Sequence, residues 1–109
     1  GDGADVVVPE ALELLAAAQP ISNRIRGLLR VGERRWDLVL DRNQRIMLPE
    51  ADAVTALERV LALNTINELL SRDLVIVDLR DARRPTLRLG VEAQEFLFQI
   101  SNDKAKDDA

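Results

Sequence analysis

The chain has 109 residues, with 15 Lys and Arg against 19 Asp and Glu, a net charge of −4, and no His, Cys or Tyr. These absences remove the usual general base, the thiolate nucleophile, disulfides, and the imidazole and thiolate metal ligands, while the acidic balance argues against nucleic acid as the main partner. At 47% hydrophobic but only 3% aromatic, the chain can bury one aliphatic core, that of a single domain.

No apolar run reaches the roughly 18 residues of a transmembrane helix. Gly1 to Asp5 reads as a loop or the end of a longer element, and it lacks the basic start of a signal peptide. A start at Gly1 rather than Met fits a fragment, so the chain reads as a piece of any secreted or anchored parent.

Val6–Val8 is a short apolar run that reads as a strand stub. Pro9 suits a first helical turn, and Glu10–Ala18 follows as a helix whose apolar face is Leu12, Leu14, Leu15 and Ala18. Gln19-Pro20 stops it, and Ser22 is placed to cap a short turn. From about Arg26 to Leu48 the pattern is a three-stranded meander. Leu29 and Val31 alternate with Arg30, and Gly32-Glu33 interrupts. Trp36, Leu38 and Leu40 then share one face, Arg42-Asn43-Gln44 turns the chain, and Ile46 and Leu48 return.

Glu50–Leu63 carries the strongest helical stripe, Val54, Leu57, Val60 and Leu61, with Asp52 as N-cap or first-turn acid. Asn64-Thr65 breaks it, leaving Ile66–Leu70 as a separate turn. Leu74–Leu79 is the densest β-favouring run, and Thr86–Leu89 alternates after the polar connection Asp81–Arg84, so the two form a hairpin. Pro85 opens the second arm. Because proline has no N–H to give a central strand, this arm is placed at a sheet edge, open to another chain. Gly90–Ser101 fits a further strand, from the alternation of Phe96, Phe98 and Ile100, or a short helix. Residues 102–109 are rich in charge and are expected to be a disordered tail. The fold class is therefore α+β, a mainly antiparallel meander sheet with two helices on one face, in one domain over residues 1–101.

Few constellations carry chemistry. Arg24, Arg26, Arg30, Arg34, Arg35, Arg42 and Arg45 read as a solvated face with acidic cross-strand partners or as a surface for carboxylates or phosphates. A nucleic-acid-binding module using residues 24–45 is the alternative that follows from the second reading. Asp78/Asp81 and Asp37/Asp41 are carboxylate pairs, but their arginine-rich surroundings keep them ionised. No catalytic residue, metal site or cofactor is expected: there is no glycine-rich phosphate loop, and the acids from Asp103 to Asp108 lack the glycine turn of a calcium loop. Trp36 and the phenylalanines read as core rather than as a base-stacking platform.

Several short motifs in fixed order do resemble a known family. Arg34-Arg35-Trp36-Asp37-Leu38-Val39-Leu40-Asp41, Ile46-Met47-Leu48-Pro49-Glu50, an Ala/Leu helix, Leu70-Ser71-Arg72-Asp73-Leu74, Val77-Asp78-Leu79-Arg80 and Pro85-Thr86-Leu87-Arg88-Leu89 resemble the C-terminal β domain of the FtsQ/DivIB cell-division family, in its alphaproteobacterial form, over residues 1–89. The resemblance implies a non-enzymatic scaffold, the periplasmic part of an inner-membrane protein at the division septum. Its anchoring helix and its POTRA domain lie outside this chain. The implied partners are division proteins of FtsB/FtsL type that add a strand to the last strand of the β domain, with self-association left open. It places partner contacts at Arg34 or Arg35, at Arg80, Asp81 and Arg84, and along Thr86, Leu87, Arg88 and Leu89. The sequence departs from the enterobacterial pattern at Asp81, where an aromatic is expected, and near Leu89, where a Trp is. The resemblance thus carries the backbone pairing further than the side-chain pockets.

Overall fold

The computed structural model describes residues 4–81 and 83–108, with side chains placed over 9–81 and 83–102. The expected loop over Gly1–Asp5 lies partly outside the described residues, and Ala4 and Asp5 open the first helix. In chain order come α1 (Ala4–Ala17), a 3-10 segment (Gln19–Arg24), β1 (Ile25–Val31), β2 (Arg35–Leu40), β3 (Arg45–Met47), α2 (Ala53–Leu61), α3 (Asn64–Leu70), β4 (Leu74–Asp78), β5 (Thr86–Leu89) and α4 (Val91–Asp108). This is an α+β fold around one five-stranded sheet in the order β1-β2-β3-β4-β5.

The meander β1-β2-β3 and the hairpin β4-β5 are both antiparallel, as the alternation predicts. They are joined by a parallel pairing, Ile46 beside Val77, that the meander pattern did not show. Parallel neighbours need a crossover connection, and the α2–α3 segment supplies it. Both turns of the meander, over residues 32–34 and 41–44, use a pair of left-handed residues: Gly32 and Glu33 lie at φ 60° and 58°, and Arg42 and Asn43 at 58° and 60°. Paired positive φ values match the twist of the strands they connect.

Leu38, Ile46 and Val77 sit in one row across β2, β3 and β4 and are fully buried. Leu14, Leu57 and Leu69 from the helices complete the same core. The α2 stripe is as the spacing predicts. The α1 stripe is not: Leu14 and Ala18 are buried, but Leu12 is 62% exposed, because a helix spaced at i and i+4 turns position 12 away from that pair. Val6–Val8 is helical rather than a strand stub, so Pro9 lies inside α1 instead of opening it. Proline there removes the bond its own N–H would have made, and its ring crowds the carbonyl four residues earlier. Ser22 sits within the 3-10 segment, whose start has Pro at its first turn and no side-chain cap. Asp52 does occupy the N-cap position of α2, at φ 58°, without a side-chain capping bond.

Of the two readings of 91–100, the helix is the observed one, and α4 also takes in residues 102–108, where charge content predicts a disordered tail. Its packed face is Ala93, Phe96 and Leu97, at helical spacing. The alternation of Phe96 and Phe98 is incidental, and Phe98 is 67% exposed. Among the described residues no helix is long and apolar enough to cross a membrane.

Candidate functional site

Among the described residues β5 ends the sheet and pairs with β4 alone. Position 91 onward, being helical, adds no strand to it. The Gly90 N–H donates inward to the Asp73 carbonyl at 2.9 Å. By the alternation of an antiparallel ladder, the backbone groups of Leu89 and Leu87 then face the open side. Pro85 shares that outward parity, so its missing N–H costs no ladder bond. Gln94 Nε2 donates to the Leu89 carbonyl at 3.1 Å, which leaves the Leu87 groups and the Leu89 N–H free to pair.

On the core side of this edge lies an apolar groove of about 390 Å³. Leu87, Pro85, Val77 and Leu79 form its floor, and Leu63, Ile66, Val60, Ala56 and Arg59 its wall. Leu87 and Leu63 are 37% and 54% exposed. Residues of α2 and α3 therefore belong to the site, which the sequence reading missed. The available signal was Leu63 itself, an apolar residue beyond the helical stripe that closes at Leu61.

On the opposite face the charges are arranged around two adjoining hollows. Arg80, Asp81, Arg84, Thr86 and Asp78 line one; Arg35 and Arg80 line the other with residues 49–52. Of the two arginine candidates, Arg35 is thus the neighbour of Arg80. Arg34 stands apart, in a hollow with Glu10, Arg30 and Trp36. Register explains the separation: Arg35 begins β2 and shares a face with Asp37, whereas Arg34 belongs to the preceding turn. Thr86, Leu87 and Arg88 are exposed and Leu89 is half-buried. Asp81 shapes the connection: its Oδ1 accepts from the Arg83 N–H at 3.0 Å and its carbonyl from the Arg84 N–H at 3.0 Å.

Arg80 donates through Nε and Nη2 to Asp78 at 3.0 and 2.7 Å. Two of its three nitrogens are engaged, and among the described residues Nη1 has no partner. The Arg80 side chain, opposed in part by burial and helped by the Arg80 backbone N–H, holds the Asp78 carboxyl below its ordinary value of 3.8. A carboxylate whose folded pKa is depressed adds stability above its unfolded pKa and loses it as pH falls through the folded one. The clamp is therefore unchanged across the neutral range and opens only in acid below 3.8. Titration followed by the Asp78 carboxyl carbon shift is expected to give a midpoint below 3.8 that Arg80→Ala moves upward. An unmoved midpoint would refute the clamp.

Five of the seven arginines from Arg24 to Arg45 have internal partners. Arg24 donates to Asp41 at 2.9 Å and to the Leu70 carbonyl at 2.8 Å, and also bonds Gln44. Arg30 pairs with Glu10 and lies over the Trp36 ring. Arg35 and Arg45 flank Asp37, itself 1% exposed, at 2.6 and 3.5 Å. Arg42 donates to the Ser71 carbonyl. Acidic partners from α1, β2 and the turn after it tie Arg24, Arg30, Arg35 and Arg45 into the fold, Asp37 with Arg45 across strands, and nothing supports the nucleic-acid alternative. Asp37, Asp41 and Asp78 are each tied to an arginine, and among the described residues no acidic group is arranged to hold a metal ion.

Comparison with known proteins adds the family. Residues 2–80 match the sequence model described as cell division protein FtsQ/DivIB, C-terminal. The cell division protein FtsQ of Cereibacter sphaeroides is 62% identical over 89 residues, covering 82% of this chain and 29% of that protein. FtsQ of Paracoccus denitrificans is 58% identical over 99 residues, 91% of this chain and 29% of its own length. FtsQ of Bradyrhizobium diazoefficiens is 36% identical over 109 residues, all of this chain and 32% of its own. The family match stops at Arg80, but this last alignment includes β5 and α4. The chain spans about three-tenths of these relatives. No solved structure matches it.

Proposed function

The chain belongs to the FtsQ/DivIB family of cell division proteins, and on that premise we propose that it is a non-catalytic scaffold module that captures a partner division protein by strand addition to β5. The observation that carries this reading is the unpaired outer side of β5 beside the apolar groove. Main-chain pairing at an edge supplies affinity, and alternate side chains supply specificity. An added strand would send every second side chain toward Leu87 and Leu63. The side chains between them would meet Arg88, Arg80 and Arg35, which favour carboxylates.

The partners this implies are of FtsB/FtsL type, and the setting is the periplasmic side of the inner membrane at the septum, with anchoring by a part of the longer protein. The test is a titration of the isotope-labelled domain with the periplasmic segment of an FtsB-type protein. The Leu87 and Leu89 amides are expected to gain exchange protection on binding; unchanged protection in a saturated complex would defeat strand addition. Arg80→Glu turns a donor toward partner acids into a like charge, and is expected to weaken capture by roughly tenfold, more at low salt than at high salt. Undiminished capture would remove Arg80 from the interface.

A further inference from the structure

Gly90, between β5 and α4, holds the N-cap position of α4. It has no side chain with which to satisfy the first helical amides, and those donors are normally met by the capping residue itself. Here the carboxylate of Asp73 does so from far upstream: its Oδ2 accepts from Glu92 N–H at 3.0 Å and its Oδ1 from Ala93 N–H at 2.6 Å. The Asp73 carbonyl accepts the Gly90 N–H at 2.9 Å. The residue just before β4 therefore binds three donors, from Gly90, Glu92 and Ala93, at the junction of β5 and α4. The negative carboxylate also lies at the positive end of the helix.

The identity of Gly90 follows from the same contact. A Cβ at this position would stand 2.1 Å from Asp73 Oδ2 and 2.5 Å from its Cγ. The neighbouring residue pins the helix on a second point, with the Arg72 guanidinium 4.3 Å from the centre of the Phe96 ring. Ala93, fully buried, completes the seat. On the sheet side, Leu74 pairs with Leu89 next to the cap, and the β4 register shifts between Leu74 and Ile76. A short edge strand beside a bulge is weakly held by its own four residues, because register there has little to specify it.

We propose that Asp73 is a positioning residue for the docking edge: with Gly90 it latches the C-terminal end of β5, so that Leu87 and Leu89 present their outward groups in fixed register before a partner strand arrives. The proposal rests on strand addition as the function of β5 and adds the device that pre-organises it. Pre-organisation raises affinity by removing the ordering cost at the moment of binding. Asp73 itself lies at the far end of β4 from the Asp78–Arg80 hollow and touches neither the groove nor the arginines, so its effect on capture is transmitted through the strand.

Amide hydrogen exchange on the whole chain separates this from a general loss of structure. Asp73→Ala is expected to raise exchange at Arg88 and Gly90, whose N–H groups face β4, and at Glu92 and Ala93, roughly 5- to 30-fold, the range that loss of a helix cap produces, with Leu38 in β2 unchanged. Asp73→Asn keeps a side-chain oxygen acceptor and is expected to recover part of the protection. Gly90→Ala is expected to reproduce the Asp73→Ala pattern by displacing the carboxylate. Unaltered exchange at Arg88 and Gly90 in Asp73→Ala would overturn the latch, and so would an equal rise at Leu38. Capture of the FtsB-type segment is the second arm, expected to weaken in Asp73→Ala and recover in Asp73→Asn. A loosened β5 with full capture would overturn the positioning role. If the parent domain itself captures nothing by β5, strand addition fails while the exchange result still reports on the latch.

Discussion

Leu87→Pro is expected to weaken capture of the partner segment by roughly 10- to 100-fold, the consequence of leaving one strand acceptor unpaired in a desolvated interface. Leu87 pairs with Val77 in register, and its own N–H faces the open side of β5. Proline there deletes an outward donor without deleting a bond to β4. It also removes the Leu87 side chain from the groove floor. Leu87→Ala separates the two contributions: it keeps the donor and loses only apolar contact, so its loss of affinity should be the smaller. Both variants should keep the parent's far-ultraviolet circular dichroism, since Leu87 is 37% exposed at the end of the sheet and holds little of the core. A folded Leu87→Pro domain that captures the partner as well as the parent does would exclude main-chain pairing at this position.

Much of this edge was legible in the sequence. Unbroken Val75-Ile76-Val77, the polar connection and the proline opening Thr86–Leu89 place a hairpin with an exposed second arm, and those signals are local. The groove was not legible, because its wall comes from Arg59 on α2, Ile66 on α3 and Leu63 between them, all separated from β5 by the whole of β4. Surplus apolar residues on a helix announce that something is exposed, but not what it faces. The choice between Arg34 and Arg35 failed for a smaller reason. Side-chain direction in a strand depends on where the strand starts, and the turn over residues 32–34, which includes Arg34, sets that start.

The region after Gly90 shows the same limit from another side. Phe96, Phe98 and Ile100 give strand spacing, whereas Ala93, Phe96 and Leu97 give helix spacing, and the two patterns overlap on Phe96. What decides for the helix is the cap, and the cap is Asp73, distant in sequence. No window around residue 91 contains that information. The parallel step between β3 and β4 is a related case: the two strands and α2 were read from the sequence, and α3 (Asn64–Leu70) only as a turn after a break at Asn64-Thr65, yet the pairing depends on how the crossover packs on the sheet.

Ile46→Ala is expected to cost roughly 2–5 kcal/mol, the range for truncating a fully buried aliphatic side chain to alanine, and to lower the melting temperature by roughly 10–25 °C in a domain of this size. The position matters because β3 is only Arg45–Met47, yet it alone joins the β1-β2 meander to the β4-β5 hairpin that carries the docking edge. Ile46 is 0% exposed and lies between Leu38 and Val77 in the row that crosses this seam. A cavity there opens between fixed neighbours that have little freedom to close over it. Ile46→Val, which removes one methyl, should cost roughly 0.5–1.5 kcal/mol. Denaturant unfolding is the measurement, with an unchanged slope expected if the domain still unfolds as one unit. Because Ile46 touches neither groove nor arginine, the fraction of Ile46→Ala that remains folded should capture the partner with the parent's affinity. Leu87→Pro should behave in the opposite way, stable but unable to bind. If both variants instead lost stability and capture together, the docking edge could not be a separable feature carried on the sheet; it would be part of the cooperative core.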